Sequence, residues 1–278
     1  MRVPLDRLGR FELLARLGYG ARGLVYLIVG WVALSAARDL RGPTDTTGAL
    51  REILDQPFGK AALAVVAVGL VGHALWRLAQ AALDLDGHGS GAKGIAVRGG
   101  LLVSAAIHVG LAAFAAALAL DLTGWGAGSG GDGTRDWTAW AMRQPFGRWL
   151  VGAAGLAVLA AAGALLWKAW TAGFVRHIAC DPQALRWIRP IGRVGLAAKA
   201  VVFLITGGFA LAAAWRVDPS EAGGLAQALL WLERRPFGSW LLATLAVGLL
   251  AFGAYGLIQA AYRRIDEPRV LARLRPAA

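Results

Sequence analysis

Six stretches of mostly apolar residues, near 19–37, 60–82, 99–120, 149–171, 195–215 and 238–262, leave this chain few ways to fold. A helix needs about 20 apolar residues to cross the hydrocarbon of a bilayer. Lipid cannot satisfy open backbone groups, and these runs are too continuous for barrel strands, so each is expected to be a transmembrane helix. With 57% hydrophobic residues and a mean hydropathy of +0.54, the 278-residue chain is too apolar for an ordinary soluble domain. Its net charge of +12 does not make it a nucleic-acid protein, because the basic residues fall between apolar runs instead of forming one soluble basic face. The Arg-rich segment 1–17 lacks the short apolar core and small-residue site of a cleavable signal peptide, so the first run is expected to stay as an anchor.

An internal repeat organises the six spans. Gln-Pro-Phe-Gly at 56–59 recurs at 144–147 and, as Arg-Pro-Phe-Gly, at 235–238, each time just before an even-numbered span. The odd-numbered spans keep register too. Arg16, Gly18, Arg22, Tyr26 and Gly30 match Arg98, Gly100, Ser104, His108 and Ala112, then Arg193, Gly195, Lys199, Phe203 and Gly207. The expected fold is therefore an all-α integral membrane protein of six transmembrane helices in three tandem two-helix hairpins. Its divisions are a basic tail 1–12, repeats 13–84, 94–174 and 188–266, and a C-terminal tail 267–278.

In each Pro-Phe-Gly, proline suits a first helical turn, phenylalanine a lipid–water boundary, and glycine the close approach of the preceding segment. Upstream, 49–55, 137–143 and 225–233 space apolar residues three or four apart. They read as short amphipathic helices in the outer connections, lying on the membrane surface.

Charge sets the expected orientation. The two tails with the second and fourth connections carry 19 of the 29 Lys and Arg and a net +12, whereas the first, third and fifth connections are net neutral. The positive-inside rule places both termini in the cytoplasm of a bacterial inner membrane. Eight of the twelve tryptophans fall toward the opposite face, as an aromatic belt there requires.

Polar residues inside spans are the candidates for function. Arg22 and Lys199 occupy equivalent places about one turn inside the basic boundary, where snorkelling to headgroups and an anion site are alternative readings. His73 and His108, on neighbouring spans, raise haem ligation or proton relay. The repeats replace them with Phe252 and Ala161, and with Tyr26 and Phe203, as packing of a flat ring would. Gln80, Lys168 and Gln259 align late in the even spans and are candidates for a vestibule or for headgroup contact. Asp84, Asp86 and His88 fall in a Gly-rich connection that reads as a linker, and 124–133 reads as a flexible outer loop. The lone Cys180 excludes an internal disulfide, and no phosphate loop, His-Glu-x-x-His or Gly-x-Ser-x-Gly is present. The expectation is a non-enzymatic module without metal or cofactor, contacting anionic lipid headgroups or a protein partner. A small-solute channel or carrier along a pseudo-threefold axis is the alternative, and a haem-binding electron carrier using His73 and His108 comes third.

The segment 18–26, Gly-Tyr-Gly-Ala-Arg-Gly-Leu-Val-Tyr, together with the thrice-repeated Pro-Phe-Gly, resembles a bacterial membrane family of unknown function built from three two-helix units. The resemblance runs from about residue 13 to 264, with the second repeat degenerate at Ser104 and Ala105. It implies a bacterial inner-membrane location and carries over no catalytic residue.

Overall fold

A computed structural model describes residues 10–38, 46–85, 87–122 and 133–263. Most of both tails, Asp86 and the outer loop up to residue 132 lie outside the described residues. Among the described residues, nine α-helices follow in order: α1 (Arg10–Ala36), α2 (Thr46–Leu54), α3 (Gly59–Leu83), α4 (Ala92–Ala119), α5 (Gly133–Met142), α6 (Gly147–Thr171), α7 (Pro182–Arg216), α8 (Leu225–Glu233) and α9 (Gly238–Tyr262). Helices α1, α3, α4, α6, α7 and α9 are each long and apolar enough to span a bilayer. The protein is a multi-pass membrane bundle. The odd-numbered spans begin well before their apolar runs, because their basic leading segments continue the helix beyond the hydrocarbon. α7 even carries Pro190 two turns in. The three connectors that precede Pro-Phe-Gly are helical, as their spacing predicts.

Pro-Phe-Gly makes the same turn three times. The glycine N–H donates to the carbonyl of the residue before proline, Gly59 to Gln56 at 2.8 Å, Gly147 to Gln144 at 2.9 Å and Gly238 to Arg235 at 2.8 Å. Phe58, Phe146 and Phe237 have φ of 62°, 61° and 60°. Proline at the second position and positive φ at the third define a type II turn, whose third position favours glycine. A phenylalanine held there bears strain of about 1–2 kcal/mol. All three rings are exposed, as a lipid–water boundary position requires. The proline does not enter the helix, as its sequence position suggested it would. Glycine is the first helical residue and phenylalanine the cap. Glycine is needed because a Cβ at 59, 147 or 238 would lie 2.3, 2.2 or 1.7 Å from a carbonyl oxygen of the preceding connector helix.

Helix packing follows the order α4–α3–α1–α9–α7–α6. A closed pseudo-threefold ring of three hairpins would have six interfaces, and five are present. The sixth, between α4 and α6, the two helices of repeat 2, is not packed as the other five are. Repeats 1 and 3 are packed hairpins; repeat 2 lends α4 to repeat 1 and α6 to repeat 3.

The reason lies in four small residues. Extending the repeat register, Ala21, Val103 and Ala198 are equivalent, as are Gly69, Ala157 and Gly248. A Cβ built on Gly69 would sit 2.6 Å from Ala21 Cβ, and one on Gly248 would sit 2.4 Å from Ala198 Cβ. Repeat 2 has real Cβ atoms on both sides, on Ala157 and on the bulkier Val103, so its hairpin cannot adopt the spacing of the other two. Gly100, the equivalent of Gly18 and Gly195, has no atom within 4 Å of a built Cβ, whereas those two press on His73 and Phe252. Only 17% of the α6 span and 22% of the α4 span is buried, against 50% for α1, α3 and α9.

The three interfaces between repeats share one device. Arg16 donates to the Ala260 and Ala261 carbonyls at 2.7 and 2.6 Å, Arg98 to those of Ala81 and Ala82 at 2.5 and 3.2 Å, and Arg193 to that of Trp170 at 2.7 Å. Each arginine satisfies carbonyls at the end of the preceding repeat's second helix, where the helix dipole also favours a cation. Arg16 reaches from repeat 1 to repeat 3, so the cycle is joined there by α1 against α9.

Candidate functional site

The half of the bundle beside the termini holds a basic and aromatic cluster; the other half is filled by apolar side chains. Val29, Ala33, Leu63, Val66, Leu70, Ala115, Val202, Leu242 and Leu249 belong to one buried cluster drawn from α1, α3, α4, α7 and α9. The spans themselves supply no carboxylate beyond Glu12, which pairs with Arg16 at the helix start. The charge inside the bundle is therefore of one sign.

Arg22 is the centre of this cluster. It is 7% exposed and its Nη2 donates to Gln259 Oε1 at 2.8 Å. Its guanidinium lies 5.4 Å from the Tyr19 ring and 5.1 Å from the Phe252 ring. Lys199 Nζ approaches the same Phe252 ring at 4.6 Å, with Tyr26 at 5.2 Å and Phe203 at 5.4 Å. Tyr26 and Phe252 meet edge to face at 4.8 Å. Arg263 faces Tyr19 at 5.0 Å, and the Tyr19 hydroxyl accepts from Trp76 Nε1 at 3.0 Å. Aromatic faces attract a desolvated cation by about 2 kcal/mol, less than the several kcal/mol that burial costs it. An arginine cannot shed its proton to escape that cost.

The histidines join from the other side. His73 is fully buried, meets Tyr19 edge to face at 5.0 Å, and lies 4.5 Å from the His108 ring. Its Nε2 accepts from Arg77 Nε at 3.3 Å, and Arg77 also donates to Gln80 Oε1 at 3.4 Å. His108 Nδ1 donates to the Ser104 carbonyl at 2.6 Å, since a carbonyl can only accept. His73–His108 and Tyr26–Phe252 are equivalent pairs across successive repeat interfaces; the third would be Phe203 with the small Ala161. Among the described residues, Arg22 Nε and His73 Nδ1 are buried without a hydrogen-bond partner. Two orphan donors of this kind are costly, and an acceptor would relieve them.

The structure thus brings together Arg22, Lys199, His73, His108, Gln80 and Gln259. Lys168 is exposed. Snorkelling does not describe Arg22, which turns inward. Haem does not fit the histidine pair, because rings in contact leave no room for a macrocycle between them, and Arg77 occupies the His73 Nε2 face. No group of three metal-ligating side chains occurs among the described residues. In the linker, Asp84 accepts from the backbone of His88 at 2.7 Å and Gly89 at 2.8 Å, which organises the turn. Sequence reasoning passed over Tyr19, Trp76 and Phe252 as site residues. Tyr19 has Leu101 and Leu196 as its equivalents. That break in the repeat was the available signal.

A six-span bundle of three repeats with an apolar half and a basic, aromatic half defines a small multi-pass membrane protein. The chain belongs to the family described as Domain of Unknown Function (DUF1206), which matches at residues 17–84, 99–172 and 194–263. It is similar to the uncharacterized protein YxxB of Bacillus subtilis (strain 168), 31% identical over 253 residues covering 90% of each chain. No solved structure matches.

Proposed function

We propose that the protein is a non-enzymatic module of the bacterial cytoplasmic membrane that binds an anionic membrane component in its basic cluster. The observation that carries this reading is that Arg22 and Lys199 lie inside the bundle, where the one carboxylate on the spans, Glu12, is already held by Arg16. An anionic head would supply the missing countercharge and accept from Arg22 Nε and His73 Nδ1. The +12 charge gathered at the end bearing the termini supports a cytoplasmic placement of that end, where anionic lipids are also attracted. The apolar filling of the other half favours binding over conduction, because a pathway needs polar lining throughout.

Native mass spectrometry of the full chain released from membranes tests this. Wild type retains anionic lipid in preference to zwitterionic lipid, and Arg22→Gln with Lys199→Gln abolishes the preference. Equal retention of both lipid classes by wild type would refute the reading. Cysteine accessibility at the termini in inverted and right-side-out vesicles tests the placement; labelling of the termini from outside the cell would overturn it.

A further inference from the structure

The seam between α4 and α6 is the one place where the ring of spans does not close, and within a bilayer it cannot stay empty. Its α4 wall carries Val103 and Ile107, 62% and 57% exposed, and its α6 wall carries Leu156 at 60%. Gly100, Gly110 and Gly163 on the same helices have open space where a side chain would stand. Ser104 and His108 adjoin Val103 and Ile107 on α4 and are half-buried, so the polar interior continues to the edge of the seam. The seam is written into the sequence as Ala157 and Val103, which break the tight glycine–alanine contact of repeats 1 and 3.

We infer that this seam is a lateral entrance through which an amphiphile with a small anionic head, a phosphate or a carboxylate, enters from the membrane plane. Its head meets Arg22, Lys199 and the His73–His108 pair, and its acyl chain lies between α4 and α6. The inference rests on the anionic-ligand reading above and adds the ligand's class and route. Arg22 lies seven residues inside the start of the span at Ala15, about 10 Å at helical rise. A head drawn that deep needs its chain to leave sideways, and the apolar filling of the far half bars a route along the axis. A small head is required because the donors without partners, Arg22 Nε and His73 Nδ1, are buried, and the half-buried Lys199 is the cation met first on the way to them.

The experiment measures binding to the full chain in detergent by isothermal titration with lysophosphatidate, oleate and inorganic phosphate. Wild type is expected to bind lysophosphatidate or oleate at least about tenfold more tightly than inorganic phosphate, since burial of two methylenes alone gives that factor. Which of the two amphiphiles is preferred identifies the head as phosphate or carboxylate. Val103→Trp, which fills the entrance, is expected to weaken the amphiphile roughly fivefold while phosphate binding stays unchanged, because only chain contacts are lost. Val103→Ala with Ala157→Gly, which restores the contact of the other repeats, obstructs it from the opposite direction and serves if the tryptophan variant does not fold. Unchanged amphiphile binding in both variants would overturn the lateral entrance and leave the basic site standing. Phosphate binding as tight as that of the amphiphile would also overturn it, showing access from water. Failure of wild type to bind any of the three would remove the basic site itself.

Discussion

Replacing Arg16, Arg98 and Arg193 with alanine, one at a time, is expected to destabilise the protein in a graded order set by what each guanidinium holds. Arg16 makes two short bonds to the last carbonyls of α9 and is fixed from behind by Glu12 at 2.8 and 3.0 Å. Hydrogen bonds to a charged group contribute about 1.5–3 kcal/mol each when sheltered, and Arg16 is 14% exposed, so its loss is expected to cost about 3 kcal/mol. Arg98 makes one sheltered and one exposed bond, for about 2 kcal/mol. Arg193 makes a single exposed bond, for about 1 kcal/mol. Glu12→Gln separates the ion pair from the cap and is expected to cost no more than about 1 kcal/mol. Equilibrium unfolding in mixed micelles, with helix content as the signal, reads all four. Equal losses at the three positions, or a largest loss at Arg193, would refute the view that these arginines join the repeats and that the α1–α9 junction matters most.

Other consequences follow from the same geometry. Gly147→Ala places a Cβ 2.2 Å from the Ala141 carbonyl, so the second turn must open, and a loss of about 2–3 kcal/mol is expected by thermal unfolding. Phe146→Gly relieves positive φ but loosens the unfolded chain, and the two effects should cancel to within about 1 kcal/mol. A large loss there would mean that the exposed ring has a packing partner. Hydrogen bonds from the Gly89 and His88 N–H groups hold the Asp84 carboxyl below its ordinary value. The turn should therefore be intact at neutral pH and loosen as pH falls below the ordinary carboxylate range through that lowered value. Amide exchange at His88 and Gly89 against pH checks this, and protection unchanged down to the acid limit would contradict it.

Much of the fold was legible because the bilayer imposes it. The start and end of α9 coincide with its apolar run, and α3 and α6 differ from theirs by a residue or two. The starts of α1, α4 and α7 were not legible, since an arginine-bearing helix beyond the hydrocarbon has no hydropathy signal. The Pro-Phe-Gly turn was recognisable as a unit, but only backbone angles place phenylalanine in the left-handed region. The break in repeat 2 was visible as degeneracy at Ser104 and Ala105. Its structural cause, Ala157 and Val103, becomes apparent only when a Cβ added at the equivalent glycines proves to fall 2.4–2.6 Å from the facing alanine. Arg22 and Gln259 were both candidates, yet they lie 237 residues apart, and nothing local joins α1 to α9.

The ring opened at repeat 2 is tested most directly by three distances. Spin labels at residues 20 and 68, 102 and 156, and 197 and 247 occupy equivalent places in the three repeats, and pulsed dipolar spectroscopy in nanodiscs measures each separation. The 102–156 distance is expected to exceed the other two and to shorten toward them in the Val103→Ala, Ala157→Gly variant. Three equal distances in the wild-type protein would contradict the open ring.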